Sequence, residues 1–68
     1  MYSISYNRLW KLLIDKGTNK NELRNRLNIS PSTIAKMGKN EYVKLETLAK
    51  IADYFDVQIG DLVEIINE

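Results

Sequence analysis

Two helix-start signals stand eleven residues apart, at Asn19 and Ser30, and they confine everything between them. Asn19 is a strong N-cap, and Glu22 follows it at the capping-box spacing. Ser30 supplies a capping hydroxyl, and Pro31 brings a fixed φ that suits the first helical position. One helix from about Lys20 to Leu27 and a second from Pro31 to Met37 leave only Asn28-Ile29-Ser30 as a connection. Asn28 tolerates the left-handed conformation of a tight turn, and Ile29 is its apolar anchor. Leu23 and Leu27 face inward on the first helix, Ile34 and Met37 on the second. Ser32, Thr33 and Lys36 stay outside, and Gly38 is expected to stop the second helix. Two short helices across a three-residue turn have the spacing of a helix-turn-helix, whose second helix can enter a DNA major groove. Plain helical bundles use the same spacing, so the pattern alone leaves both readings open.

Three further helices are expected around this pair. Tyr6, Leu9, Trp10, Leu13 and Ile14 recur at helical spacing, which predicts an amphipathic helix from Ser5 to Lys16. Ser5 can cap its start, and Gly17 suits the left-handed position past its end. Trp10 lies on the apolar stripe and reads as core. Leu45, Leu48, Ala49, Ala52 and Phe55 predict a helix from Leu45 to Phe55, poorly capped because Lys44 stands at its N-cap. A short fifth helix is expected near Ile59 to Leu62. Val63-Glu64-Ile65 and Tyr2 to Tyr6 both alternate like strands, so the two ends are candidates for a small ribbon.

At 68 residues this is one domain, spanning 1–68, with a thin stability margin. It contains neither cysteine nor histidine. Disulfides and thiolate metal sites are thereby excluded, and the usual general base and commonest metal ligand are missing. With no glycine-rich phosphate loop either, an enzyme is not expected, and neither is a cofactor or a metal. No apolar run approaches a membrane span and no basic-then-apolar leader opens the chain, which predicts a cytoplasmic protein. Net charge is only +1, yet the charges are segregated. Residues 1–44 carry nine bases against three acids, and residues 45–68 carry one base against six acids. One face is therefore suited to a polyanion, although ordinary solvated helix faces account for the same charges.

Longer stretches carry a resemblance. They are Gly17-Thr18-Asn19-Lys20-Asn21-Glu22-Leu23, Leu27-Asn28-Ile29-Ser30-Pro31-Ser32-Thr33-Ile34, Leu45-Glu46-Thr47-Leu48-Ala49-Lys50-Ile51-Ala52 and Phe55-Asp56-Val57-Gln58-Ile59-Gly60-Asp61-Leu62. Residues 17–62 resemble the Cro-type, or phage-repressor-like, helix-turn-helix family, also called the xenobiotic-response-element family. The resemblance implies an all-α, compact five-helix, lambda-repressor-like DNA-binding domain with short strand-like ends, the helix-turn-helix proper covering about 19–38. It closely resembles a subgroup of very short members that are little more than the helix-turn-helix.

By position, the resemblance implies that Ser30, Pro31, Ser32 and Lys36 face the bases. Asn19 and Lys20 would meet a phosphate or the groove edge, and Thr33 and Lys39 would lie near the backbone. Lys36 can donate to guanine O6 and N7, Ser32 can donate or accept, and Pro31 offers only apolar contact. Ser30-Pro31 is equally accounted for as a helix start. Tyr42, before the fourth helix, either packs on its loop or reaches a phosphate.

Three departures stand out. Many members begin the second helix with Gln where this chain has Lys20, which favours phosphate or guanine over adenine. Arg24 replaces a small residue and must snorkel outward or pair with a carboxylate such as Glu46. Leu13 and Gly38 occupy positions where an Arg–Glu pair commonly ties the first helix to the end of the third. Losing both partners together leaves no unpaired buried charge.

The resulting expectation is sequence-specific binding of double-stranded DNA by a transcriptional regulator of repressor type, as a homodimer on a pseudo-palindromic operator. A single short recognition helix reads too few base pairs to single out one genomic site. Among the apolar tail residues Ile59, Leu62, Val63, Ile65 and Ile66, Leu62 is expected in the core and Ile65 or Ile66 at the dimer interface, with Val63 a further candidate. Alternatively they cover the first strand, with Ile4 against Val63 or Ile65, and the chain pairs only on DNA. The alternative is a protein-interaction module of antitoxin or anti-repressor type, which keeps the fold without reading bases.

Overall fold

A computed structural model of the chain describes residues 2–67. In chain order these form β1 (Tyr2–Ser5), α1 (Asn7–Asp15), α2 (Lys20–Leu27), α3 (Pro31–Gly38), α4 (Leu45–Phe55), a 3-10 turn (Ile59–Asp61) and β2 (Glu64–Asn67). The all-helical core with strand-like ends matches expectation, but a fifth α-helix does not form: Ile59–Asp61 is a single 3-10 turn. Gly60 sits in its middle, and Asp61 folds back so that its carboxylate accepts the Gln58 N–H at 3.0 Å. This local closure leaves too few residues before β2 for a helix to propagate.

Local signals set most boundaries. Gly17 has φ +67°, its N–H donates to the Ile14 carbonyl and the Thr18 N–H donates to Leu13. Together these bonds close α1 with a Schellman motif. The start of α1 departs from expectation, because Ser5 belongs to β1 and the helix begins at Asn7. The Ser5 hydroxyl still accepts the Asn7 N–H at 3.2 Å. Asn28 and Asp56 take the left-handed conformation after α2 and α4. Gly38 does not stop α3: it is the last helical residue, and Asn40, at φ 57°, supplies the left-handed position.

The core joins residues from every helix. Tyr6, Leu9, Leu13, Leu23, Met37, Ile51 and Leu62 are all buried, and Ile29 enters from the turn. Trp10 is partly buried against this cluster. Leu62 is fully buried, as expected of it, and its carbonyl accepts the Leu9 N–H at 3.1 Å. The ends of the chain pair as an antiparallel ribbon in which Tyr2 lies opposite Asn67, Ser3 opposite Ile66, Ile4 opposite Ile65 and Ser5 opposite Glu64. The one ion pair among the described residues is Arg8–Glu64 at 3.3 Å, and Arg8 also donates to the Gly60 carbonyl. Arg24 is half-buried and makes no such pair with Glu46.

A Cβ added at Gly38 would meet only the Lys20 Nζ, at 3.9 Å, and the backbone there is ordinary helix. Gly38→Ala should therefore stabilise the domain by roughly 0.5–1 kcal/mol, because the unfolded chain loses freedom at no steric cost. Thermal melting checks this, and a lowered midpoint would show that the position needs glycine for another reason.

Candidate nucleic-acid interface

The exposed face of α3 is built outward from its cap. The Ser30 hydroxyl accepts the Thr33 N–H at 3.2 Å and lies 2.8 Å from the Thr33 hydroxyl and 3.2 Å from that of Ser32. Ser30 is thus engaged in starting the helix. Pro31, Ser32, Lys36 and Lys39 are exposed, whereas Ile34 is half-buried and Met37 is buried. Ala35 is also exposed and falls between Ser32 and Lys36 on the same face. The sequence reading missed it, although the spacing 32, 35, 36, 39 carries the signal. A methyl at that place suits contact with a thymine methyl.

Around this face the structure gathers several of the expected backbone-contacting residues. An open cleft of about 510 Å³ runs between the starts of α3 and α4, lined by Thr33, Lys36, Tyr42, Lys44, Thr47 and Lys50 among others. Lys44, at the start of α4, provides no side-chain cap, so first-turn N–H groups there lack that partner. Lys50 stays exposed, its Nζ donating to the Leu27 carbonyl at 3.3 Å at the end of α2. Tyr42 is exposed at the rim. Its phenol is held above the ordinary tyrosine range, chiefly by a hydrogen bond with Tyr2. The Tyr6 phenol is raised by burial, while the Val43 backbone N–H pulls it the other way.

The start of α2 adds a second group. Asn19 Oδ1 accepts the Glu22 N–H at 2.9 Å, and Glu22 in turn accepts from the Thr18 hydroxyl at 2.7 Å. The cap leaves the Asn19 amide NH2 as its free donor. Lys20 is placed less favourably for a phosphate than expected, because its Nζ lies 4.2 Å from the centroid of the Trp10 ring. That contact, rather than a pair between positions 13 and 38, spans α1 and the region beside Gly38. Of the tail residues, Val63 packs in part against the core, whereas Ile65 and Ile66 remain exposed. No group of three or more metal-ligating side chains stands together among the described residues. Nor is any described helix long and apolar enough to cross a membrane.

A capped helix, a left-handed turn, a second helix with a polar outer face and a basic cleft beside it define a helix-turn-helix domain of the DNA-binding class. The family model of the Cro/C1-type helix-turn-helix DNA-binding domain matches residues 8–68, and the chain belongs to that family. The fold is also that of a solved structure, the crystal structure of the transcriptional regulator VanUg (form II). The two share 48% identity and a TM-score of 0.94 over 98% of this chain and 89% of that one. No curated protein matches the sequence.

Proposed function

We propose that the chain is a transcriptional regulator of repressor type that binds double-stranded DNA in a sequence-specific way. The observation carrying this reading is the exposed α3 face beside a lysine-lined cleft, within a family of DNA-binding domains. Pro31, Ser32 and Lys36 read base edges in the major groove, joined by the Ala35 methyl, and Ser30 sets where the helix begins. Asn19, Thr33, Lys39 and Tyr42 meet phosphates, which fix register without carrying sequence information. Lys20 can join them only by leaving Trp10, and a cation–π contact at an exposed site is worth about 0.5–1 kcal/mol.

A homodimer completes the reading, placing two α3 helices in successive major grooves about 34 Å apart. Support comes from β2. Among the described residues its one partner strand is β1, and it carries Ile65 at 70% and Ile66 at 39% exposure. With Val63 turned partly inward, the interface residue is Ile65 or Ile66, whose side chains leave the strand on opposite faces.

Random-site selection on duplex DNA tests the first part, with gel shifts at two salt concentrations. A recurring motif whose binding weakens with salt is expected; a bound protein partner with no selected DNA would instead favour the interaction-module reading. Sedimentation equilibrium tests the second part, with Ile66→Asp as the probe. A wild-type chain that stays monomeric both free and on a palindromic site would sink the dimer.

A further inference from the structure

The N-terminal segment touches the loop between α3 and α4 at several points, and Tyr6 makes most of the contact. Tyr6 is the joint between β1 and α1 and is completely buried. Its hydroxyl donates to the Glu41 carbonyl at 2.6 Å, across 35 positions of sequence. Its own N–H reaches Asn40 Oδ1 at 3.4 Å. Tyr42 therefore directly follows the residue whose carbonyl this buried hydroxyl holds. Ahead of them Asn40 is left-handed, its N–H bonded to Met37, and the Glu41 N–H is bonded to Lys36. Further along the same strand, Tyr2, Ser3 and Ile4 line a shallow cleft with Asn40, Glu41 and Tyr42. A phenylalanine would fill the Tyr6 volume equally well, so the hydroxyl is there for the loop. A buried phenol needs such a partner, and here it is a loop carbonyl.

We infer that Tyr6 is a positioning residue for DNA binding, its buried hydroxyl holding residues 40–43 in the shape that presents Tyr42 and the end of α3 to phosphates. The inference rests on the DNA-binding reading above. A loop left free must be ordered when DNA arrives, and that ordering subtracts from affinity. β1, which lies beside this loop, is itself paired with β2, with Ile4 opposite Ile65.

The test is Tyr6→Phe, with Asn40→Gly as a second variant that keeps the left-handed backbone and removes only the side-chain acceptor. Affinity for the selected operator is measured over a salt series, at a temperature where circular dichroism shows each full chain folded. Tyr6→Phe should bind roughly three- to tenfold more weakly, the size expected for one lost hydrogen bond. It should keep the wild-type base preference and the wild-type dependence of log K on log salt, because the ordering cost releases no ions and the Tyr42 phenol carries no charge. Asn40→Gly should shift in the same direction, and amide exchange at positions 40 and 41 should quicken in both. Wild-type affinity in a folded Tyr6→Phe would overturn the inference, as would a changed base preference, which would place the effect in α3. A wild-type chain that binds no DNA would sink the DNA-binding reading and this inference with it. A wild-type chain that binds while Tyr6→Phe binds identically sinks this inference alone.

Discussion

Leu13→Arg should leave the domain largely unfolded at room temperature. Leu13 is 3% exposed in the last turn of α1 and contributes to the core shared by all four helices. Removing a buried leucine costs about 2–5 kcal/mol in packing. A guanidinium in its place adds the cost of an unpaired charge in an apolar site. Domains as small as this hold only a thin margin against such a loss. Ile14→Arg is the control: the neighbouring side chain is 76% exposed, and the change should stay within about 0.5 kcal/mol. Urea unfolding followed by circular dichroism distinguishes the two. A cooperative Leu13→Arg transition close to the wild-type midpoint would show that position 13 is not core. Adding Gly38→Glu is not expected to restore the fold, because the atom nearest a side chain at 38 is Lys20 Nζ.

Lys36→Ala should change which DNA is bound, and Lys39→Ala should change only how tightly. Both lysines are exposed, Lys36 on α3 and Lys39 at its C-cap three residues later. Lys36 also lines the cleft towards α4, whereas Lys39 stands past the last helical residue. A base contact discriminates by about 1–3 kcal/mol, roughly ten- to a hundredfold at one base pair. A phosphate contact weakens binding evenly and lowers the salt slope by about 0.9 when lost. Selection repeated with each variant reads the difference. An unchanged motif and affinity for Lys36→Ala would remove α3 from the groove.

The resemblance read from residues 17–62 and the match over residues 8–68 rest on the same local features. The Asn19 cap, the Asn28 turn and the Ser30-Pro31 start are each visible in a few consecutive letters and each made of bonds that span three or four residues. The outer face of α3 was legible for the same reason, since helical spacing alone separates Ser32 and Lys36 from Met37. Ala35 carries no polar group to mark it, and the Lys20–Trp10 contact joins residues ten apart on different helices, beyond the reach of local pattern.

What the sequence by itself determined is therefore the helices α1 to α4, the turn between α2 and α3 and the choice of outward-facing side chains. Caps, proline, left-handed residues and apolar spacing all act within one or two helical turns. The alternation at both ends allowed Ile4 against Val63 or Ile65, and only the tertiary structure selected Ile65 and turned Arg8 towards Gly60 and Glu64. It also decided that Asn40 rather than Gly38 takes the left-handed position after α3, and that the Tyr6 hydroxyl meets Glu41. The physical reason is distance along the chain. Each of these arrangements depends on how helices pack, and a strand of four residues or a single buried hydroxyl finds its partner only after that packing exists.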